Sequence, residues 1–148
     1  MYRFLIKLVA TFFFVGYLPF APGTFGSMAG LGLFLLLREN FNLLIGVTVL
    51  IMFLGFALSK KAARIFNRRD PGQIVIDEVA GIFLCFLGIS TNSVILSVGF
   101  IIFRLLDLLK PYPANIFQRQ DTSVGIMGDD IIAGIYTNLI LRILLVFF

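Results

Sequence analysis

The chain of 148 residues has no histidine, a single cysteine and few charged side chains. Without histidine it can neither use imidazole catalysis nor build a histidine-based zinc site. The lone Cys85 excludes an internal disulfide. Charged residues make up 14% of the chain and hydrophobic residues 59%, against roughly a quarter and under half in soluble domains. With a mean hydropathy of +1.03, the composition predicts a membrane protein.

Long stretches without charged residues predict where the membrane helices lie. Three such stretches occur, at Leu8–Leu37, Phe41–Ser59 and Val79–Phe103, and a membrane-spanning helix needs about 20 mostly apolar residues. Glycine, proline and polar residues divide them into shorter segments. Those predicted after the amino terminus are Met28–Leu37, Leu43–Leu58, Val79–Leu87, Val94–Leu109 and Ile131–Phe148. We therefore predict an all-α, integral-membrane bundle of about five to six helices, with residues 1–148 as one domain.

The amino-terminal segment has the pattern of an amphipathic helix. Arg3, Lys7 and Thr11 recur at every fourth position, which places them on one helical face, and the other faces are apolar. This pattern favours a helix that lies along the membrane interface, and it is also compatible with a tilted span.

Basic residues predict the orientation. If the segments form two hairpins and a final helix, the turns near residues 40 and 90 share one side of the membrane. The other side carries the basic residues Lys60, Lys61, Arg64, Arg68 and Arg69, and the positive-inside rule predicts that it faces the cytoplasm. The need to set the membrane topology is enough to explain why these basic residues are present.

Acidic residues are scarce, and five of the eight lie near predicted helix ends on that same side. They are Asp77, Glu78, Asp107, Asp129 and Asp130. Each alone could cap a helix or pair with a neighbouring base, so that Asp129, for example, could be the N-cap of the last helix. Together they would repel one another, and a bound cation would offset that repulsion. Carboxylates without histidine or cysteine suit Mg²⁺, or Mn²⁺, better than zinc.

Basic and hydroxyl side chains near these acids predict a phosphate site. Arg104 and Lys110 lie three residues before and after Asp107, on one broad helical face. Thr24 and Ser27 belong to the loop PGTFGS, and free backbone amides at the helix start after such a loop can bind anions. Because similar loops precede many helices, this part of the signal is weak. We predict that Arg104, Lys110, Thr24 and Ser27 bind phosphate.

Missing motifs narrow the chemistry further. The lack of histidine excludes histidine-dependent lipid phosphatases, and Cys85 is not followed by arginine at the spacing of a cysteine-phosphatase loop. The lack of an Asp-x-Asp pair argues against an aspartyl-phosphate intermediate. Metal-assisted attack by water on a phosphate, with a carboxylate as general base, remains.

Four blocks of the sequence, PGTFGS, DPGQIVIDEVAGIF, FRLLDLLKPYP and GIMGDDIIAGIY, closely resemble the motifs of the phosphatidylglycerophosphatase A family. The resemblance implies an all-α, Mg²⁺-dependent enzyme of the bacterial inner membrane with catalytic loops on the cytoplasmic face. It implies hydrolysis of a membrane lipid, phosphatidylglycerophosphate, to phosphatidylglycerol and phosphate, and no nucleic acid partner. Motif positions carry over onto Asp77, Glu78, Arg104, Asp107, Lys110, Asp129 and Asp130, and Asp70 also matches.

The chain departs from the family pattern before the double aspartate, where DTSV replaces paired glycines and Gly128 replaces a larger residue. Two alternatives stay open. CDP-alcohol phosphotransferases also gather aspartates at a membrane face, but their Asp-x-x-Asp-Gly motif followed by Ala-Arg is missing. A non-enzymatic scaffold or cation-conducting bundle could use the acids to line a cation path, although carboxylates confined to one end argue against a pore.

Overall fold

The structure is a computed structural model that describes residues 1–147. All regular structure in this range is helical, with no β-strand. The helices are α1 Tyr2–Ala10, α2 Pro22–Leu37, α3 Phe41–Ile65, α4 Ile76–Phe86, α5 Ser93–Leu109, α6 Ala114–Phe117 and α7 Ser123–Phe147, and a 3₁₀ turn, Val15–Tyr17, follows α1. The all-α prediction is confirmed. Residues 1–147 form seven helices rather than five to six because the connection after α5 contains α6.

Two helices, α3 and α7, are long and apolar enough to cross a membrane. Each has 25 residues, and their most apolar 18-residue windows have mean hydropathies of 2.4 and 1.8. Only 22% and 28% of those windows is buried inside the protein, so most of each apolar surface faces outward. These helices support the membrane prediction, while the number of crossings and the orientation stay predictions.

The amino-terminal helix only partly matches its predicted face. α1 buries Ile6 and Ala10 against the bundle, and the Lys7 ammonium lies 5.3 Å from the centre of the Phe66 ring. Thr11, however, is completely buried and accepts a hydrogen bond from the Phe14 backbone amide. The polar face therefore ends at Lys7, because the chain turns at Thr11 and leaves the helix.

Helix α4 forms the centre of the bundle and packs against α2, α3, α5 and α7. Nine of its eleven residues are buried. Its crossing with α7 is close because both helices carry glycine there. A Cβ on Gly134 would lie 2.5 Å from the Gly81 carbonyl oxygen, and a Cβ on Gly81 would lie 2.9 Å from that of Asp130. Small residues at such crossings let helices approach closely.

The carboxyl end of α4 is held by side chains of α7, and the eleven residues of α4 span only about 16 Å at 1.5 Å per residue. The Asn138 side-chain amide of α7 donates to the carbonyls of Leu84, Cys85 and Leu87 at 2.9 to 3.0 Å. Arg142 adds a hydrogen bond of 3.1 Å to the Leu87 carbonyl. The last carbonyls of a helix have no partner within the helix, and these two side chains supply one.

Three predicted helix starts are wrong, and all three real starts are earlier. α4 begins at Ile76 rather than Val79, and the other two differ by more. α2 begins at Pro22 rather than Met28, with proline in the first turn, where its missing amide costs nothing. α7 begins at Ser123 rather than Ile131, and its predicted end at Phe148 lies outside the described residues. Asp129 is therefore inside a helix and is not an N-cap. Glycines and acids at these starts concealed the helical pattern.

Candidate active site

The predicted acids converge at one end of the bundle. Asp77 and Glu78 lie in the first turn of α4, where negative charge is favoured by the helix dipole. Asp130 projects from α7 toward them. Carboxylate oxygens of these three residues all lie within 4.8 Å of one another. We call Asp77, Glu78 and Asp130 the acid cluster.

The acid cluster contains carboxylate oxygens that lack partners. Asp77 and Asp130 are only 6% and 3% exposed. Glu78 Oε2 and Asp130 Oδ1 are buried and accept no hydrogen bond from the described residues. A buried polar atom without a partner is costly, and this cost is greater among like charges. The donor set, made only of carboxylate oxygens, fits a hard divalent cation such as Mg²⁺.

Asp107 lies beside the acid cluster, next to both Glu78 and Asp130. It comes from the last turn of α5 and pairs with Arg104 of the same helix, with 2.7 Å between Arg104 Nη1 and Asp107 Oδ2. Both side chains are mostly buried, at 17% and 12% exposed. The ion pair thus joins the carboxylates to a guanidinium group within one small volume.

Asp129 faces a different partner, the Lys110 ammonium group. Its Oδ1 accepts a hydrogen bond of 3.1 Å from the Asp130 amide, which holds it at the edge of the acid cluster. Burial acts to lower the pKa of Lys110, but the hydrogen bond to Asp129 and the charges of nearby aspartates raise it overall. Lys110 therefore remains a cation beside the carboxylates.

Helix α2 contributes to the site through Ser27. The Ser27 hydroxyl accepts a hydrogen bond of 3.2 Å from Arg104 Nη1 and donates one of 2.9 Å to the Gly23 carbonyl. Thr24 lies in the same turn of α2 and is half-buried. In residues 1–147 its hydroxyl makes no hydrogen bond to the acids or to Arg104. Of the two predicted hydroxyl residues, only Ser27 is joined to the site.

The glycine at position 23 is a site residue that the sequence analysis missed. A Cβ at Gly23 would overlap Glu78 Oε1 and would lie 3.5 Å from Arg104 Nη2. Glycine thus lets the start of α2 approach both charged groups. Its place in the PGTFGS block was the available signal. By contrast, Asp70, which matches the family motif, is exposed in the turn before α4.

Gly128, where the chain departs from the family pattern, has a packing role. A Cβ there would lie 2.8 Å from the Phe117 ring. The missing side chain therefore lets α6 rest against α7 one residue before Asp129.

Comparisons with known proteins point to one family. The sequence profile of the phosphatidylglycerophosphatase A family matches residues 8–145. The chain is 36% identical to phosphatidylglycerophosphatase A of Haemophilus influenzae over 91% of its length and 85% of the relative's. It is 36% identical to the protein of that name from Escherichia coli, over 86% and 76% of the two chains.

A relative from Bacteroides thetaiotaomicron carries a different name, "Putative phosphatidylinositol-3-phosphatase". It is 30% identical over 95% of this chain and 93% of its own. No solved structure gives a significant match. The profile match over most of the chain shows that this protein belongs to the phosphatidylglycerophosphatase A family.

Proposed function

We propose that this protein is a membrane-bound lipid phosphatase that hydrolyses phosphatidylglycerophosphate to phosphatidylglycerol and inorganic phosphate with Mg²⁺. One observation carries the proposal, namely the buried, unpartnered oxygens Glu78 Oε2 and Asp130 Oδ1 in the acid cluster. Like-charged groups in such a position favour a bound cation. The family and two of the relatives support the substrate.

The acid cluster, Asp77, Glu78 and Asp130, would hold the cation, with Asp107 and Asp129 at its edges. When bound there, Mg²⁺ would supply positive charge that activates water and stabilises charge on the phosphoryl oxygens. One of these two edge carboxylates, Asp107 or Asp129, would act as the general base that accepts the proton of the attacking water.

The basic side chains would bind and orient the phosphate group. Arg104 presents a planar guanidinium that suits two phosphate oxygens, and Lys110 adds a point charge. The Ser27 hydroxyl holds Arg104 Nη1 at 3.2 Å, which limits the rotation of the long side chain. Thr24 lies in the first turn of α2 and would reach the substrate directly rather than through Arg104.

The distribution of charge favours a cytoplasmic orientation of the site. The basic end of α3 and the start of α7 lie together, because the Lys60 amide donates to the Ser123 hydroxyl at 3.2 Å. The positive-inside rule favours the cytoplasmic side for this end. The acid cluster would then meet lipid headgroups at the cytoplasmic face of the bacterial inner membrane.

Phosphate release from defined lipids tests the function. The purified full chain, in mixed micelles, should release phosphate from phosphatidylglycerophosphate with Mg²⁺ and stop on addition of EDTA. Phosphatidylinositol 3-phosphate is the second substrate to assay, because one relative is named for it. No release from either lipid by a helical, monodisperse sample would contradict the proposal, and faster release from the inositol lipid would contradict the substrate.

The non-enzymatic alternative makes a different prediction. A cation-conducting bundle needs a polar path beyond the acids, but α4 continues from the acid cluster with the buried apolar residues Val79, Ile82 and Phe83. Proteoliposomes with the reconstituted chain should therefore show no Mg²⁺ flux above that of empty vesicles.

A further inference from the structure

A second charged pocket lies at the carboxyl end of α3. It is open, encloses about 720 Å³, and is lined by Lys60, Ala63, Arg64, Asn67, Arg68, Arg69 and Asp121. We call it the basic pocket. It shares no lining residue with the acid cluster, and the proposed hydrolysis uses none of its side chains.

The backbone turn after α3 builds this pocket. Asn67 has a φ of 53°, a left-handed conformation that asparagine tolerates better than most residues. The amides of Asn67 and Arg68 donate to the carbonyls of Arg64 and Ala63, which closes the helix end. The chain therefore folds back, and the arginines after the turn line the same pocket as those in the last turns of α3.

Positive charge in the basic pocket exceeds negative charge. Four cationic side chains face one carboxylate, a formal excess of three positive charges. Lys60 pairs with Asp121, and the Arg69 guanidinium donates to the Arg119 carbonyl. The hydrogen bond from Lys60 lowers the pKa of Asp121, so this acid stays ionised at neutral pH. Within residues 1–147, Arg64 and Arg68 form no ion pair.

Helix stability and membrane topology explain only part of this charge. Cations in the last turn of α3 complement the helix dipole, and any basic residue on this side would set the orientation. Neither reason requires Arg68 and Arg69, beyond the helix end, to share a concave pocket with Arg64. Convergent guanidinium groups are the usual protein partner of phosphate.

We propose that the basic pocket binds the phosphodiester of an anionic phospholipid, as a second phosphate site apart from the acid cluster. α3 is long and apolar enough to cross a membrane, and its basic end would then lie at headgroup level. The Lys60 amide contacts Ser123, and Asp129 follows six residues later, about 9 Å along the helix axis. The diester could belong to the lipid being hydrolysed or to a neighbouring lipid.

Lipid retention by the purified full chain tests this site without requiring catalysis. Native mass spectrometry in neutral detergent would compare short-chain phosphatidylglycerol, phosphatidylcholine and inorganic phosphate. We expect phosphatidylglycerol to bind more tightly than the other two. Arg64→Gln and Arg68→Gln should each weaken its binding about fivefold or more, because each removes a charge-assisted hydrogen bond.

Lys61→Gln is the matched control, since Lys61 is an exposed base on the same helix that does not line the pocket. It should change binding less than twofold. Equal losses from Lys61→Gln and Arg64→Gln would overturn the proposal in favour of diffuse attraction. Equal binding of phosphatidylcholine, or competition by inorganic phosphate at equal concentration, would overturn the assignment to an anionic lipid diester.

Kinetics separate the two sources of the diester and rest on the proposed function. If the lipid being hydrolysed supplies it, Arg64→Gln should raise KM and leave kcat unchanged. If a neighbouring lipid supplies it, added phosphatidylglycerol should raise wild-type activity but not that of Arg64→Gln. An active Arg64→Gln enzyme with unchanged KM and an unchanged response to phosphatidylglycerol would contradict the proposal, whereas an inactive wild type would contradict only the proposed function.

Discussion

Helix α4 has a polar cluster at each end, and the two differ in how their groups are satisfied. At the carboxyl end, Asn138 and Arg142 donate hydrogen bonds to the last carbonyls. At the amino end, Glu78 Oε2 and Asp130 Oδ1 are buried and have no hydrogen-bond partner among residues 1–147. Both clusters pair α4 with α7, so the same two helices carry a closed structural contact and an open group of acids.

This difference separates groups that hold the fold from groups that are ready for a ligand. A network in which the last carbonyls are paired stabilises the folded chain, and losing a donor leaves those carbonyls unpaired. A group of like charges without partners raises that free energy until a cation arrives. Substitutions in these two polar clusters should therefore have opposite effects on the stability of the metal-free protein.

The largest expected effect is that of Asp130→Asn. It should lower kcat by about a hundredfold or more, because charges at one metal centre act as a unit. It should also raise the melting temperature of the metal-free protein, because one of several repelling carboxylates is gone. Phosphate release and thermal unfolding with and without Mg²⁺ are the measurements.

Mg²⁺ itself provides the control for Asp130→Asn. At about 100 times Kd, a ligand stabilises the folded state by about 2.7 kcal/mol, so the wild type should melt at a higher temperature with Mg²⁺. Asp130→Asn should lose this gain, while Glu39→Gln, at an exposed acid that pairs with Arg38, should keep it. A metal-free Asp130→Asn protein that melts at a lower temperature would show that Asp130 is structural.

The next largest effect is expected for Gly23→Ala. The added Cβ would overlap Glu78 Oε1, the mobile end of a side chain, so the carboxylate can move aside and folding should survive. Activity should fall by about ten- to a hundredfold, because small displacements of catalytic groups are costly. Gly32→Ala on the same helix, where a Cβ meets nothing within 4 Å, should leave kcat/KM unchanged. Equal activities of the two variants would contradict the close approach.

A change at the closed end of α4 should affect stability instead. Asn138→Leu leaves the carbonyls of Leu84 and Cys85 without their donor and should lower the free energy of unfolding by about 1 to 3 kcal/mol. The kcat of the folded fraction and the gain from Mg²⁺ should stay near wild type. Denaturation in detergent combined with phosphate release checks both. A large loss of kcat at unchanged stability would contradict the purely structural role of Asn138.

The sequence predicted the acids better than the helices that carry them. The convergence of the acids at one end of the bundle could be predicted because carboxylates are rare in an apolar chain and have few structural uses there. The starts of α2 and α7 were missed because glycine, threonine and aspartate favour loops by propensity, and tertiary packing overrides that preference. The close approach of Gly23 to Glu78 depends on contacts distant in sequence, which a local pattern cannot reveal.

The division within the predicted phosphate site was also beyond the sequence. Thr24 and Ser27 are three residues apart and chemically alike, but of the two only Ser27 accepts a hydrogen bond from Arg104 of α5 within residues 1–147. The rotation of α2 about its axis decides this, and it follows from packing against α4. The sequence placed Lys110 on one helical face with Asp107. In the structure Lys110 follows the last turn of α5 with a φ of 46°, and its side chain forms an ion pair with Asp129.

The smallest expected effect tests that division through Ser27→Ala. The variant removes the hydroxyl that accepts from Arg104 Nη1, while the ion pair with Asp107 remains. KM should rise about tenfold or less, which corresponds to the roughly 0.5 to 1.5 kcal/mol of one typical hydrogen bond, with kcat and the gain from Mg²⁺ close to wild type. Ser97→Ala is the control, because Ser97 also donates to the carbonyl four residues earlier at 2.9 Å but is exposed on α5. An equal rise in KM for both variants would mean that the serine supports its own helix, and Ser27 would then leave the phosphate site.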